Sequence, residues 1–292
     1  MTDAHTHFFP PEAAADTDTF ARVRREAYWG SLVGARPDGR PSLQGFPSRD
    51  KFLRDMDVAG VEYAVIQGWY WENVETCKEQ NDFVAEFVRA HPDRLGAFAA
   101  IQPASAQSLE IAARARDDGF CGLGELHDGV QNFSYDSPLF GEILDIAERD
   151  GLAVCLHITE DSPRSYHGKT PTNTRAAVEL ARRRRGVNFI FAHWCGNLAF
   201  ASPELFGDMP NAFFDCAAGQ FTAPKNAFEL AQNSPQLFGR AIYGTDYPLR
   251  LYPKLFACEE MKTSADQTRA SVSEKFGKNL WTKNFIKAIK KP

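Results

Sequence analysis

Eight short apolar runs alternate along this chain with stretches of helical periodicity. Several runs, such as 153–156 and 189–192, are almost continuously apolar. Strands of a parallel sheet have this character because helices cover both faces of the sheet. Eight strand–helix units in 292 residues predict the α/β class and a closed (β/α)8 TIM barrel. The predicted strands are 2–8, 61–68, 95–102, 120–126, 152–158, 187–194, 211–217 and 240–245.

Amphipathic stretches between the runs predict the helices that connect the strands. Gly60, Gly119, Gly151 and Gly186 each follow such a stretch, where a helix-ending glycine is expected. A doubly wound open sheet is the alternative fold, but no G-x-G-x-x-G motif follows the first strand. The predicted helices are 49–59, 74–90, 106–117, 138–150, 172–185 and 225–232, with 268–275 and 280–289 added at the C-terminal end.

An extended loop over residues 9–48 interrupts the alternation after the first strand. Long segments of this kind inside compact domains are usually functional or disordered. We interpret it as an ordered lid over the site or as the contact surface of a homodimer. No linker and no internal repeat divides the chain, so a single domain over 1–292 is expected.

Composition and charge limit the classes of molecule that this protein is expected to bind. The net charge is −5 and the pI is about 5.8, without the basic face that nucleic-acid binding requires. No apolar run reaches the roughly 18 residues of a membrane span. The six cysteines form no C-x-x-C pair, and no signal peptide is apparent. We therefore expect a cytoplasmic protein with reduced thiols, no nucleic-acid partner and no membrane partner.

Histidines and carboxylates fall at the C-terminal ends of five predicted strands. Residues two apart in a strand point to the same side, so His5 and His7 share one face. In a barrel, the C-terminal strand ends meet at one face, where active sites are built. Ionisable groups buried there need a partner, and a divalent ion satisfies several at once. The candidate metal ligands are His5, His7, Glu125, His157 and Asp246, with His193 beside them.

This constellation resembles the amidohydrolase superfamily of metal-dependent TIM-barrel enzymes. It is most similar to amidohydrolase family 2, which includes hydrolases, lactonases and decarboxylases of the aminocarboxymuconate-semialdehyde type. The family pattern is H-x-H after strand one, histidines after strands five and six, and aspartate after strand eight. Here these residues are His5, His7, His157, His193 and Asp246. The resemblance covers almost the whole chain.

Family members differ at strand four, where many carry a carboxylated lysine that bridges two metals. This chain has Glu125 instead, which resembles the TatD-like deoxyribonucleases. A glutamate can bridge two ions without modification, so one or two ions remain open and two are favoured. Mixed imidazole and carboxylate ligands suit Zn²⁺ best, with Mn²⁺ as the alternative.

The resemblance implies catalytic roles for two residues. The family assigns the general base to the aspartate that corresponds to Asp246, and His193 is either a ligand or a group that stabilises the developing oxyanion. A bound divalent ion activates water and polarises a carbonyl oxygen. The leading prediction is a metal-dependent hydrolase that cleaves an amide, ester or lactone bond.

Loop residues near the strand ends predict the substrate. Arg164 and Tyr166 follow strand five, Arg250 follows strand eight, and Trp69 ends strand two. An arginine there can clamp a carboxylate with two hydrogen bonds, and a tryptophan can form an apolar wall. We expect a small organic molecule that bears a carboxylate or an aromatic ring.

Two other functions remain open. One is a lyase, a non-oxidative decarboxylase on the same barrel. His5 in place of glutamate departs from the resorcylate-type decarboxylases but not from the semialdehyde type. The other is a metal-binding protein without activity.

His127, two residues after Glu125, is expected to orient a ligand from outside the metal site.

Overall fold

Eight parallel strands form one sheet in sequence order in the computed structural model, which describes residues 1–34, 39, 42–162, 165–250 and 259–290. The backbone N–H of Ala4 donates to the carbonyl of Tyr243 at 2.9 Å, which joins the last strand to the first. The predicted barrel is confirmed, and the open-sheet alternative is wrong. The strands are β1 Thr2–Thr6, β2 Tyr63–Ile66, β3 Leu95–Ala99, β4 Gly122–Leu126, β5 Ala153–Leu156, β6 Phe189–Phe191, β7 Ala212–Asp215 and β8 Ala241–Ile242.

Apolar side chains from different strands fill the barrel interior. They form one buried cluster, which two residues of the C-terminal helix, Phe285 and Ala288, extend. A larger apolar cluster lies between the strands and the surrounding helices. The C-terminal strand ends therefore stand on a packed core, which holds them in position. The interior cluster includes Val65, Phe98, Cys155, Ile190, Phe213 and Ile242.

Helices connect the strands, and two of the four predicted glycine caps follow them directly. Gly60 and Gly151 end their helices in left-handed conformations, with φ of 67° and 65°. Gly186 is not a cap, because its helix already ends at Arg183 with Arg184 as the capping residue. The α-helices are Pro11–Ala15, Thr17–Arg24, Ala27–Val33, Arg49–Ala59, Val74–Ala90, Ser108–Arg114, Asp128–Gln131, Pro138–Asp150, Thr174–Arg183, Ala192–Gly196, Leu198–Ala201, Gly219–Thr222, Ala227–Asn233, Lys262–Ser271, Glu274–Lys278 and Asn284–Ala288.

Further irregular helices are a 3-10 turn at Pro203–Phe206 and a π-helix at Asn279–Lys283. The predicted C-terminal helix 268–275 is two helices. The helix is interrupted there because the Ser273 side chain accepts a hydrogen bond from Phe276 N and caps the start of a new helix. Within the described part of the chain, no helix combines the length and the apolar character needed to cross a membrane.

The extended segment after β1 carries three short helices that the sequence did not predict: Pro11–Ala15, Thr17–Arg24 and Ala27–Val33. Their aromatic side chains pack on residues that follow β2. The ring of Trp29 lies 5.1 Å from that of Trp69 and 5.0 Å from that of Trp71. Glu26 accepts hydrogen bonds from the backbone N–H groups of Glu72 and Asn73 at 2.7 and 3.2 Å. These three helices therefore form a wall beside the mouth of the barrel.

Candidate metal centre

The structure brings all six predicted residues together at the C-terminal face of the barrel. Each lies at the end of a strand or in the first residues after it. The side chains are buried, except that His157 retains 19% of its exposure. Their proximity fits the prediction of a shared site, and their roles as ligands stay predictions. The residues are His5, His7, Glu125, His157, His193 and Asp246.

Four side chains form a first group of donor atoms. His5 Nε2 lies 3.2 Å from His7 Nε2 and 3.6 Å from Glu125 Oε2. His7 Nε2 lies 3.7 Å from the same Glu125 oxygen. Asp246 Oδ1 lies 3.4 Å from His7 Nε2 and 3.9 Å from His5 Nε2. Ligands around one tetrahedral ion with bonds of 2.0–2.2 Å are about 3.3–3.6 Å apart, so this spacing fits a divalent ion.

A second group uses the other oxygen of Glu125. Glu125 Oε1 lies 2.9 Å from His157 Nδ1 and 3.5 Å from His193 Nε2. The two imidazole nitrogens are 3.2 Å apart. One carboxylate therefore faces both groups, with one oxygen directed to each.

Hydrogen bonds on the outer side of three histidines orient their inner nitrogens. His5 Nδ1 lies 2.9 Å from Asp215 Oδ2, and His193 Nδ1 lies 2.8 Å from the Ala217 carbonyl. His7 Nδ1 lies 3.3 Å from the Gln67 carbonyl. In a ring that carries one proton, these acceptors assign that proton to Nδ1, and the Nε2 lone pair then points inward. Lone pairs that face each other at 3.2 Å need a cation between them, and the donor set fits one.

The charge distribution also favours cations. Four buried acidic side chains, those of Asp3, Glu125, Asp215 and Asp246, lie in or beside the site. Among the described residues, no lysine or arginine forms an ion pair with any of them. Burial alone would lower the pKa of His193, but Glu125 raises it to about 9. The cluster is therefore built to hold positive charge.

Burial and charge act in opposite directions on Glu125. Burial alone would raise the pKa of this carboxyl group, but His157 and His5 hold it well below its ordinary value. Glu125 is therefore a carboxylate at neutral pH, as a bridging ligand must be.

Sequence reasoning missed Asp215 and Asp3. Asp215 ends β7, where its Oδ1 accepts hydrogen bonds from His193 N and Ala217 N at 3.1 and 3.0 Å. Asp3 accepts from Thr245 Oγ1 at 2.6 Å beneath the first group, and burial raises its pKa to about 7. The signal for Asp215 was present, because an acid at the end of an apolar strand was the criterion that selected Glu125.

Two site residues have left-handed backbone conformations. β6 ends at Phe191, so the predicted strand 187–194 is too long. The residues from His193 to Cys195 have φ between 54° and 57°, and Asp246 has φ of 64°. Such conformations are unfavourable for side chains with a Cβ atom, and they persist where the surrounding structure holds them. They turn His193 and Asp246 into the site.

Aromatic rings line one side of the site. The ring of Trp69 lies 5.3 Å from that of His7, and the ring of Tyr70 lies 5.2 Å from that of His157. His127 stacks on His157 at 4.8 Å with the ring planes 10° apart. The Tyr28 hydroxyl, carried by the segment after β1, donates to the Gly168 carbonyl at 2.8 Å. Trp69 thus lies beside the candidate ligand His7, and its role toward substrate stays a prediction.

The other predicted substrate residues have contacts of their own. The Tyr166 hydroxyl donates to Glu160 at 2.8 Å within the loop after β5. Arg250 donates to the Ser42 carbonyl at the edge of the mouth. Arg164 lies outside the described residues. Their roles toward substrate stay predictions.

Comparison with known proteins relates this site to a family. The family model described as "Amidohydrolase" matches residues 2–274. Among curated proteins, the chain is similar to a dihydroorotase from Lactobacillus johnsonii, with 25% identity over 206 residues that cover 64% of this chain and 46% of that protein. The chain thus spans about half the length of the curated relatives it matches.

Solved structures with the same fold cover nearly the whole chain. A 5-carboxyvanillate decarboxylase from Novosphingobium aromaticivorans with bound manganese has a TM-score of 0.71 at 14% identity, covering 99% of this chain and 95% of that one. An uncharacterised TIM-barrel protein from Bordetella bronchiseptica has a TM-score of 0.69 at 17% identity, covering 99% and 98%. A 2,6-dihydroxybenzoate decarboxylase from Rhizobium has a TM-score of 0.64 at 19% identity, covering 99% and 98%.

At these identities, the solved structures establish the barrel, and the family model establishes the relationship. The histidines and carboxylates at the strand ends are in keeping with the barrel fold and with the family relationship. The chain belongs to the amidohydrolase family and is an enzyme of that metal-dependent superfamily.

Proposed function

We propose that this enzyme is a hydrolase that holds two divalent ions and cleaves an amide, ester or lactone bond in a small organic substrate. The observation that carries the proposal is the position of Glu125, whose Oε2 faces the first group of donors and whose Oε1 faces the second. Two-metal sites in which one ligand joins the ions are typical of hydrolytic enzymes.

The donor atoms indicate which ions the site would bind and which residues would hold them. His5, His7 and Asp246 would hold one ion, and His157 and His193 the other, with Glu125 shared. Imidazole and carboxylate ligands favour Zn²⁺, with Mn²⁺ as the alternative. When bound, a divalent ion lowers the pKa of a coordinated water and polarises a carbonyl oxygen.

Asp246 is the proposed general base. Burial alone would raise its pKa, but its hydrogen bond with His7 and the charge of His5 hold the pKa below its ordinary value. The group is thus a carboxylate at neutral pH and accepts the proton of the attacking water. It then returns the proton to the leaving group. Trp69 and Tyr70 exclude bulk water from one side.

The alternative is a non-oxidative decarboxylase. The likeness to solved decarboxylases over 99% of the chain favours it, although at 14–19% identity this likeness establishes only the fold. In that reaction, the substrate carboxylate leaves as carbon dioxide and the carbon takes up a proton. A carboxylate-bearing substrate suits both reactions, so the bond that breaks must be measured.

Isotope incorporation separates the two reactions. The purified protein, with its metal content determined, is assayed against a panel of esters, lactones, cyclic amides and aromatic carboxylates in H₂¹⁸O and in D₂O. Hydrolysis places ¹⁸O in the product carboxylate, which is the expected result. Release of carbon dioxide with deuterium on carbon establishes the decarboxylase instead. A metal-loaded protein inert toward the whole panel contradicts the proposal.

The cellular setting is part of the same proposal. The five described cysteines are free, in keeping with a reducing cytoplasm. A small molecule is the expected partner, and a homodimer is tested by light scattering on the full chain. The wall after β1 is the surface whose exposure such a dimer would change.

A further inference from the structure

Asp215 contacts both donor groups, although it belongs to neither. Its Oδ2 lies 2.9 Å from His5 Nδ1, on the side of the ring opposite the site. Its Oδ1 accepts from His193 N at 3.1 Å and from Ala217 N at 3.0 Å. The carboxylate is buried, with a side-chain exposure of 2%. Its hydrogen-bond partners are thus the candidate ligands His5 and His193 and the turn beside them, and the Cys155 thiol also lies within 4.8 Å of Asp215.

The contact with His5 decides which ring nitrogen carries the proton. A carboxylate accepts hydrogen bonds and donates none, so Nδ1 of His5 must donate to Asp215. The Nε2 atom is then free to present its lone pair to the first group, where it lies 3.2 Å from His7 Nε2. A proton on Nε2 would occupy the place of the ion.

The contact with His193 acts on the backbone. His193 begins the left-handed turn after β6, a conformation that side chains with a Cβ atom rarely adopt. Asp215 Oδ1 satisfies the backbone N–H of His193, and the Ala217 carbonyl two residues further along accepts from its Nδ1. The end of β7 therefore holds both the main chain and the ring of this residue.

We propose that Asp215 is a positioning residue. It fixes the His5 proton on Nδ1 and holds the backbone N–H of His193, and so it links the two proposed ion positions. This inference rests on the proposed function, because it takes the two groups as ion sites. Asp215 does not touch the substrate. It acts through the ligands, and outer partners of this kind change metal affinity by about 10–100-fold.

The variant Asp215→Asn tests the proton directly. The amide oxygen can still accept from His193 N and Ala217 N, but the amide NH₂ then faces His5 Nδ1. That nitrogen must become an acceptor, which moves the His5 proton to Nε2 and into the first group. The reverse amide orientation would place the NH₂ against two backbone N–H groups. It is unfavourable because donors would then face donors.

Asp3→Asn is the matched control. Asp3 is also a buried carboxylate beside His5, but it contacts the His5 backbone N–H at 3.3 Å and Thr245, not the imidazole ring. An amide at position 3 likewise replaces a buried carboxyl group beside His5 and leaves the His5 proton unchanged. A merely structural effect of replacing such a group would appear in both variants.

The experiment measures ions per chain and zinc affinity by chelator competition, with circular dichroism to verify folding. We expect Asp215→Asn to lose one ion or to bind it about 10–100-fold more weakly, while Asp3→Asn retains the wild-type stoichiometry. Wild-type affinity for both ions in Asp215→Asn overturns the inference and leaves the proposed function intact. Equal losses in both variants also overturn it. A wild-type protein that binds no ion contradicts both the inference and the proposed function.

A second measurement needs no variant. The ¹⁵N spectrum of histidine-labelled, metal-loaded wild-type enzyme reports which nitrogen of His5 carries the proton. The inference requires the proton on Nδ1, and a proton on Nε2 overturns it even if Asp215→Asn fails to fold.

Discussion

Glu125 Oε1 lies 2.9 Å from His157 Nδ1, while the second oxygen of the same carboxylate is directed away from His157 and toward His5 and His7. A single side chain thus belongs to two donor groups. The proposed two-ion site requires that Glu125 use both oxygens at once.

Glu125→Gln is expected to lower the metal content from about two ions to about one per chain. The amide nitrogen has no lone pair for a metal, so one group loses its shared ligand. Activity should fall with the lost ion. Elemental analysis and steady-state kinetics provide the measurement. One ion in both proteins with equal activity would instead support a mononuclear site.

Asp246→Asn is expected to retain the fold and most of the metal while kcat falls about 10²–10⁴-fold. The amide preserves the shape of the side chain but cannot accept a proton as the carboxylate does. Asp55→Asn is the control, because Asp55 accepts a hydrogen bond from Tyr247 outside the metal groups. A near-normal kcat for Asp246→Asn would exclude Asp246 as the general base.

Tyr28→Phe is expected to raise KM more than it lowers kcat and to destabilise the fold by about 1 kcal/mol. The substitution removes the hydroxyl that donates to Gly168 and loosens the wall beside the site. Tyr135→Phe loses a comparable bond to Asp128, away from the metal groups, and should change stability alone. Identical kinetics in the two variants would show that the Tyr28 hydroxyl has no role toward substrate.

Asp3 is expected to make the stability of the chelator-treated protein depend on pH. Its folded-state pKa is about 7, above the ordinary value of 3.8, because burial disfavours its charge. Its contribution to the free energy of unfolding is therefore complete below about pH 3.8 and is lost as the pH rises through about 7. Urea unfolding at pH 5 and pH 7.5 should show a smaller difference for Asp3→Asn than for wild type.

The alternation of apolar runs and helical stretches was sufficient to predict the barrel. Burial in a parallel sheet acts on consecutive residues, so its signature is local and can be read from the chain. The same holds for His5, His7, Glu125 and Asp246, since each ends an apolar run, and strand ends meet at one face whatever the loops do.

The three helices after β1 could not be predicted with equal certainty. They have five to eight residues each, which is too short for a clear helical period. Their stability comes from the packing of Phe9, Phe20 and Trp29 on residues that follow β2, a contact between distant parts of the chain.

The division of Glu125 between two groups and the role of Asp215 were likewise decided by the tertiary structure. Sequence places an acid at a strand end but does not say which way each oxygen points or which histidine ring it meets. Those facts depend on side-chain rotamers and on the left-handed turn at His193, which form only when the neighbouring strands pack. The amino-acid sequence by itself determined the barrel and its set of donors, because both follow from local patterns, whereas the pairing of donors required the closed barrel.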